Sequence, residues 1–187
     1  QCAAQEQIRG LEKGVAFVNE LGELMVALYN VNIDGTLYSS AMAVADPRTM
    51  AIKEFVKKEG VIAPVYTPSD PDVKAILIDN AFVAGGKSYA HYQAVLEAAP
   101  ATKYSGFLVS ADGGHTWSTP EHGKVWNVWL ESLGKEQKAP YEWFAAASVC
   151  QANGYFNMIH TKYGRDWSNY ASFFAARCPE DKDFTDP

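Results

Sequence analysis

Four histidines, His91, His115, His122 and His160, are the side chains of this sequence whose ordinary pKa lies near neutrality. None of them stands at the His-Glu-x-x-His spacing that holds zinc on one helix face, so no metal site is expected. His115 and His122 fall seven residues apart with Asp112 and Glu121 beside them, a grouping that suits acid–base or cation chemistry at a hairpin tip and equally suits an ordinary polar turn. Ser110 lacks the Gly-x-Ser-x-Gly setting of a strained nucleophile elbow. A cysteine nucleophile would have to be Cys150 or Cys178. Glu121, Glu131 and Glu142 lie among aromatic residues, where two acids at the right separation could cleave a glycoside. Gly85-Gly86-Lys87-Ser88 fails as a phosphate loop, because position 81, where that loop needs a further glycine, is Ala81.

These residues need elements to place them. The clearest is the run Phe107-Leu108-Val109 followed by Ser110-Ala111-Asp112-Gly113-Gly114-His115-Thr116-Trp117. An apolar strand, a turn of residues tolerant of positive φ and a returning Trp predict a β-hairpin. Its Ser-x-Asp-x-Gly-x-Thr-Trp spacing resembles the Asp-box, a hairpin motif of sialidases and other secreted, often glycan-related proteins. The resemblance covers eight residues and implies a structural role for Ser110, Asp112, Gly114 and Trp117, away from any catalytic centre.

Composition bounds the rest. The chain of 187 residues is 48% hydrophobic and 20% charged, which suits one globular domain over 1–187 with a frayed N-terminus and a loose acidic tail at 180–187. Sixteen basic against twenty-two acidic residues leave a formal charge of −6 and no basic stripe, so no nucleic-acid partner is expected. No apolar run reaches membrane-spanning length. The start at Gln1 suggests a removed leader. A bridge between Cys150 and Cys178, leaving Cys2 over, would place the protein in an oxidising compartment, secreted or periplasmic; three reduced thiols are the competing reading.

Periodicity predicts a mixture of helices and strands. Ile8, Leu11, Val15, Val18 and Leu21 recur at three- and four-residue steps and predict a helix over 3–22, weakened by Gly10 and Gly14. Residues 24–33 and 36–44 flank Asp34-Gly35 and predict a hairpin. Pro47 opens a helix ending at Gly60, 73–83 is a buried strand, and Ser88 caps a helix over 89–98. Residues 125–130 form an aromatic segment and 141–149 lean to strand. Helices over 154–163 and from Asp166 to Cys178 close the chain.

The predicted class is therefore α+β, one antiparallel sheet with flanking helices. The order of a first helix, an apolar strand closed by Ile33-Asp34-Gly35-Thr36-Leu37, and Asp46-Pro47 resembles the first half of a single Cache sensor domain, a PAS-like module that binds small organic ligands outside the cytoplasm. That likeness covers roughly residues 10 to 60.

Aromatic residues make up 13% of the chain, and flat rings suit ligand binding as well as core packing. The expected ligand-contacting residues are Tyr89, His91, Tyr104, Trp126, Trp129 and Trp143, lining a pocket for a small molecule whose identity, like any cofactor or oligomeric state, the sequence leaves open. A hydrolase acting on a glycan or nucleic acid, and a structural or partner-binding protein, are the competing classes. A sealed pocket with few perturbed acids would favour binding, and an open cleft with two convergent titratable groups would favour catalysis.

Overall fold

The computed structural model describes residues 6–96, 102–120, 143–163 and 173–181. Every element in them is a strand. The order is β1 (Ile8–Val18), β2 (Leu24–Ile33), β3 (Thr36–Ala45), β4 (Ile52–Phe55), β5 (Lys57–Lys58), β6 (Val61–Ile62), β7 (Val73–Ala84), β8 (Lys87–Leu96), β9 (Thr102–Ser110), β10 (Trp143–Ala152), β11 (Tyr155–Tyr163) and β12 (Phe173–Pro179). They form antiparallel sheets in the orders β1-β2-β3-β4, β5-β6, β7-β8-β9 and β10-β11-β12, so each strand pairs with its sequence neighbour. No helix occurs among the described residues, and the α+β class is corrected to all-β.

The reversals explain this architecture. Asp34-Gly35, Glu59-Gly60, Gly85-Gly86 and Asn153-Gly154 each carry positive φ at both positions. That is the signature of the tight primed turn whose twist matches the strands it joins. Chain leaving such a turn returns beside itself, and meanders follow.

The expected helices fail for local reasons. Over 3–22, the apolar spacing belongs to an edge strand: β1 is exposed along most of its length, with Phe17 alone buried, and its partner Tyr29 stands opposite Lys13. The Cache-like opening helix is thus absent. After Asp46-Pro47 the chain makes a turn in which Asp46 accepts hydrogen bonds from the amides of Arg48 and Thr49, and the chain then enters β4. Residues 89–98 were expected to share one helical side through Tyr89, Tyr92 and Leu96. Instead the described part of this stretch is β8, where Ala90, Tyr92 and Ala94 face one way and Tyr89, His91 and Gln93 the other. The helix expected over 154–163 is β11, and the part of the last expected helix that is described, from Phe173, is β12. The hairpin 24–33/36–44, the strand 73–83 and the strand reading of 141–149 agree with β2–β3, β7 and β10.

Two cores sandwich the first sheet. On one face Phe17, Met25, Ala27, Met42 and Val44 pack with Ile76, Ile78, Ala90, Tyr92, Ala94 and Leu108 of the β7–β9 sheet, with Trp117 among them. On the other face Leu28, Val31, Ile33, Ala41, Ala43 and Phe55 gather with Ile62 of the small β5–β6 ribbon. Asn30 sits at φ 46 within β2 and moves the inward set from the even positions 26 and 28 to the odd positions 31 and 33.

Cys150 and Cys178 do not form the expected bridge. Cys150 stands opposite Asn157, and Cys178 stands opposite Phe156. Neighbouring positions of β11 project to opposite faces, and one whole strand lies between the two cysteines, roughly 9–10 Å at normal strand spacing. A disulfide needs Cα atoms within about 7 Å. The pairing therefore lends no support to an oxidising compartment. Among the described residues no helix is long and apolar enough to cross a membrane.

Candidate functional site

The polar chemistry of the interior lies on the odd face of the β7–β9 sheet, the one that carries the odd-numbered residues of β8 and β9 and, past the bulge at Asp79, Asn80 and Phe82 of β7. The opposite face is taken by the first sheet, and β10 lies close to all three strands. The pairing of β7 with β8 shifts between Ile78 and Asn80, so Asp79 is an inserted residue: Ile78 stands opposite Tyr92 and Asn80 opposite His91. Such a bulge re-aims the side chain it carries. Here it turns a carboxylate toward the histidine of the neighbouring strand.

Asp79 and His91 meet through a 2.6 Å contact between Oδ1 and Nδ1. Their side chains are 4% and 1% exposed. The amide of Gln93 donates to the other carboxylate oxygen, Oδ2, at 2.8 Å. A buried carboxylate is costly unless both oxygens find donors, and these two contacts supply them. With Asp79 as acceptor, Nδ1 carries the proton, and in the neutral ring Nε2 is left as an acceptor.

Around this pair the face is aromatic. The His91 ring meets Phe107 edge-on at 5.3 Å, Phe107 meets Phe82 at 6.3 Å, and Phe82 stacks on Tyr89 at 5.9 Å and 20°. Ser105 lies opposite Gln93 on β9, hence on the same face and one pair along from His91. Its residue is wholly buried and its hydroxyl has no hydrogen-bond partner.

A second constellation ties the two large sheets together at the predicted hairpin. Ser110 Oγ donates to Asp112 Oδ1 at 2.8 Å and accepts from the amide of Gly114 at 2.8 Å. Asp112 accepts from the amide and the hydroxyl of Thr116 at 2.9 and 2.6 Å. Trp117 donates through Nε1 to the Gly114 carbonyl and meets Phe17 edge-on. Asn19 Nδ2 donates to the Gly113 carbonyl at 2.8 Å, the Gly113 amide donates to Glu20 Oε1 at 2.8 Å, and the Ser88 hydroxyl donates to Glu20 Oε2.

Burial pushes the Glu20 carboxyl up, but the hydrogen bonds from Ser88 and Gly113 outweigh it and hold the group below its ordinary value. Asp112 behaves alike: desolvation raises it, and the Thr116 and Ser110 hydrogen bonds bring it down. Both carboxylate oxygens of Glu20 and of Asp112 accept hydrogen bonds, from Gly113, Ser110 and Thr116 of the loop and from Ser88 of β8. The arrangement is a clasp.

Of the expected ligand residues, the structure brings Tyr89 and His91 onto one face with Phe82 and Phe107 between them. Tyr104 takes the register of Ala94, the core-facing side of β8, and Trp143 opens β10. Trp126 and Trp129 lie outside the described residues, as do His122, Glu121, Glu131 and Glu142. His115 is exposed beside Asp112, and His160 lies in β11 opposite Ala146. No group of His, Cys, Asp and Glu able to hold a metal occurs among the described residues. Asp79, Gln93 and Ser105 carry no signal in the sequence, because no motif joins them. A bulge and two strand registers do. No protein-family model matches this chain, and no curated protein matches it.

Proposed function

We propose that the chain is an all-β binding domain that holds a small polar molecule against the odd face of β7–β9, with His91, Ser105 and the Asp79–Gln93 pair as its polar lining. The observation that carries this reading is the Ser105 hydroxyl, fully buried beside an ordered Asp–His pair yet hydrogen-bonded to nothing. An unsatisfied buried hydroxyl costs about 1–3 kcal/mol, which a fold retains where a bound partner supplies the missing bond. Phe107 and Phe82 give the face its apolar walls.

The oriented Asp79–His91 pair also has the parts of a general base, which favours the hydrolase as the second reading. Against it, Ser105 makes no hydrogen bond to His91, so the nucleophile is not linked to its base.

Thermal-shift screening of a mixed library of sugars, polyols, amino acids, carboxylates, amines and nucleosides tests the proposal. One class should raise the melting temperature saturably. Ser105→Ala should abolish that rise while leaving the free protein as stable as before, or more so. If no compound of any class shifts the protein, or if Ser105→Ala destabilises it and leaves binding intact, the reading falls.

A further inference from the structure

We infer that Asn153-Gly154, the tip of the β10–β11 hairpin, is a site of spontaneous deamidation, where the side-chain amide is lost and an aspartate or isoaspartate takes its place. The reaction needs a main-chain amide free to attack the Cγ of the residue before it, and a glycine in the following position obstructs that approach least. Every other asparagine of the chain is followed by a residue with a side chain. Three Asx-Gly pairs compete, Asp34-Gly35, Asp112-Gly113 and Asn153-Gly154, each with positive φ at its glycine. Their surroundings separate them.

In the first two pairs both reacting groups are held. Asp34 Oδ1 accepts from the amide of Gln7 at 3.2 Å, and the Gly35 amide donates to Asn32 Oδ1 at 2.9 Å. Asp112 accepts from Ser110 and Thr116, and the Gly113 amide donates to Glu20 Oε1 at 2.8 Å. In the third pair neither group is held. Asn153 is exposed, its carboxamide bonds to no described residue, and the Gly154 amide donates to none. Nothing stands within 4 Å of where a Gly154 Cβ would be, so the carboxamide can swing over the amide, and water can follow. The Asn153 carboxamide is also neutral, and it meets the attacking nitrogen without the repulsion of a carboxylate.

The Gly154 nitrogen gives its proton to hydroxide and bonds to Asn153 Cγ, a succinimide ring closes, and the side-chain nitrogen leaves as ammonia. Water then opens the ring. Addition at the former side-chain carbonyl gives aspartate, and addition at the main-chain carbonyl gives isoaspartate. The sum is one water taken up and one ammonia released, with no other reactant. Isoaspartate carries the main chain through one extra carbon, in a two-residue turn that sets Ala152 opposite Tyr155. The Gly154 carbonyl accepts from the amide of Glu180 at 3.0 Å, so the new carboxylate arises next to the acidic pair Glu180-Asp181.

The test ages the whole chain at mildly alkaline pH, maps its peptides by mass spectrometry and locates isoaspartate by enzymatic methylation. Asn153 should convert about ten-fold or more faster than any other asparagine, a barrier lower by about 1.4 kcal/mol. Isoaspartate should gather at 153 ahead of 34 and 112. Asn153→Gly, which copies the Gly85-Gly86 pair closing β7–β8, should lose the methylation signal and most of the ammonia release. Asn153 intact throughout, another asparagine converting as fast, isoaspartate gathering first at 34 or 112, or undiminished ammonia release from Asn153→Gly each overturns the inference.

Discussion

Asn19 and Gly113 are 94 positions apart in sequence, and the Asn19 side-chain amide donates a 2.8 Å hydrogen bond to the Gly113 carbonyl. The same side chain accepts, through Oδ1, from the amides of Leu21 and Glu23 at 3.0 and 2.8 Å. One buried residue thus shapes the β1–β2 turn and fastens it to the hairpin after β9. Asn19→Ala removes these three bonds and a fourth, from Nδ2 to Glu23 Oε2 at 3.1 Å, and leaves a buried carbonyl without its donor, so a loss of about 2–3 kcal/mol is expected. Urea denaturation measures it, and Asn19→Asp, which restores only the acceptor, should recover part of the loss.

Gly113 closes the same joint from the other side. Its φ is +77, and a methyl group there would stand 2.9 Å from Leu21 Cδ1 and 3.1 Å from Asn19 Nδ2. Gly113→Ala therefore combines left-handed strain with a clash at the clasp. Gly35 shares the conformation, at φ +93, but has open space around it. Gly35→Ala should cost about 1 kcal/mol from strain alone, and Gly113→Ala clearly more. Equal melting temperatures for the two variants would contradict the clasp.

The clasp should also fail in acid. Glu20 and Asp112 both have folded-state values below their ordinary ones, 4.5 and 3.8, through the bonds they accept. A depressed carboxylate contributes stability that is complete above its unfolded value and disappears as pH falls through the folded one. Stability should hold steady down to about pH 5 and decline below about pH 4. Glu20→Gln should be less stable at neutral pH and show a shallower acid limb. Melting curves of both proteins between pH 3 and 7 make the comparison.

What the sequence made legible was the turn chemistry. Asp34-Gly35 is legible as a turn because its flanks alternate cleanly, whereas Asn153-Gly154 and Gly85-Gly86, reversals of the same kind, adjoin stretches whose apolar spacing also fits a helix. Three such pairs bounded by apolar runs already argue for meanders. The error arose where apolar residues at three- and four-residue steps, as in Ile8, Leu11 and Val15, are compatible with both periods over a short stretch. Tyr92 and Ala94 settle the matter only through their burial against Met25 and Met42 in another sheet. His91 was singled out by residue type. Its partner Asp79 reaches it by a bulge, which no local pattern announces.

The cysteines offer a direct check on register. Because β11 separates them and they project to opposite faces, peptide mapping without reduction should find no Cys150–Cys178 linkage. Reductant should then leave the melting temperature unchanged, and both thiols should alkylate once the chain is unfolded. A mapped bridge between them would require a different pairing of β10, β11 and β12.

The buried Asp79–His91 pair should behave as a unit. Asp79→Ala strips the acceptor from His91 Nδ1 and Gln93 Nε2 together, and a loss of about 2–4 kcal/mol is expected. His91→Phe fits a ring of similar size against Phe107 but leaves Asp79 with Gln93 as its one remaining donor of the two. Combining the changes removes both halves of the interaction and replaces the imidazole by an apolar ring, so the double variant should be more stable than the sum of the single losses predicts. A coupling of about 1–3 kcal/mol in a double-mutant cycle would place the pair's energy in the 2.6 Å contact, and strict additivity would show that each side chain is held by something else.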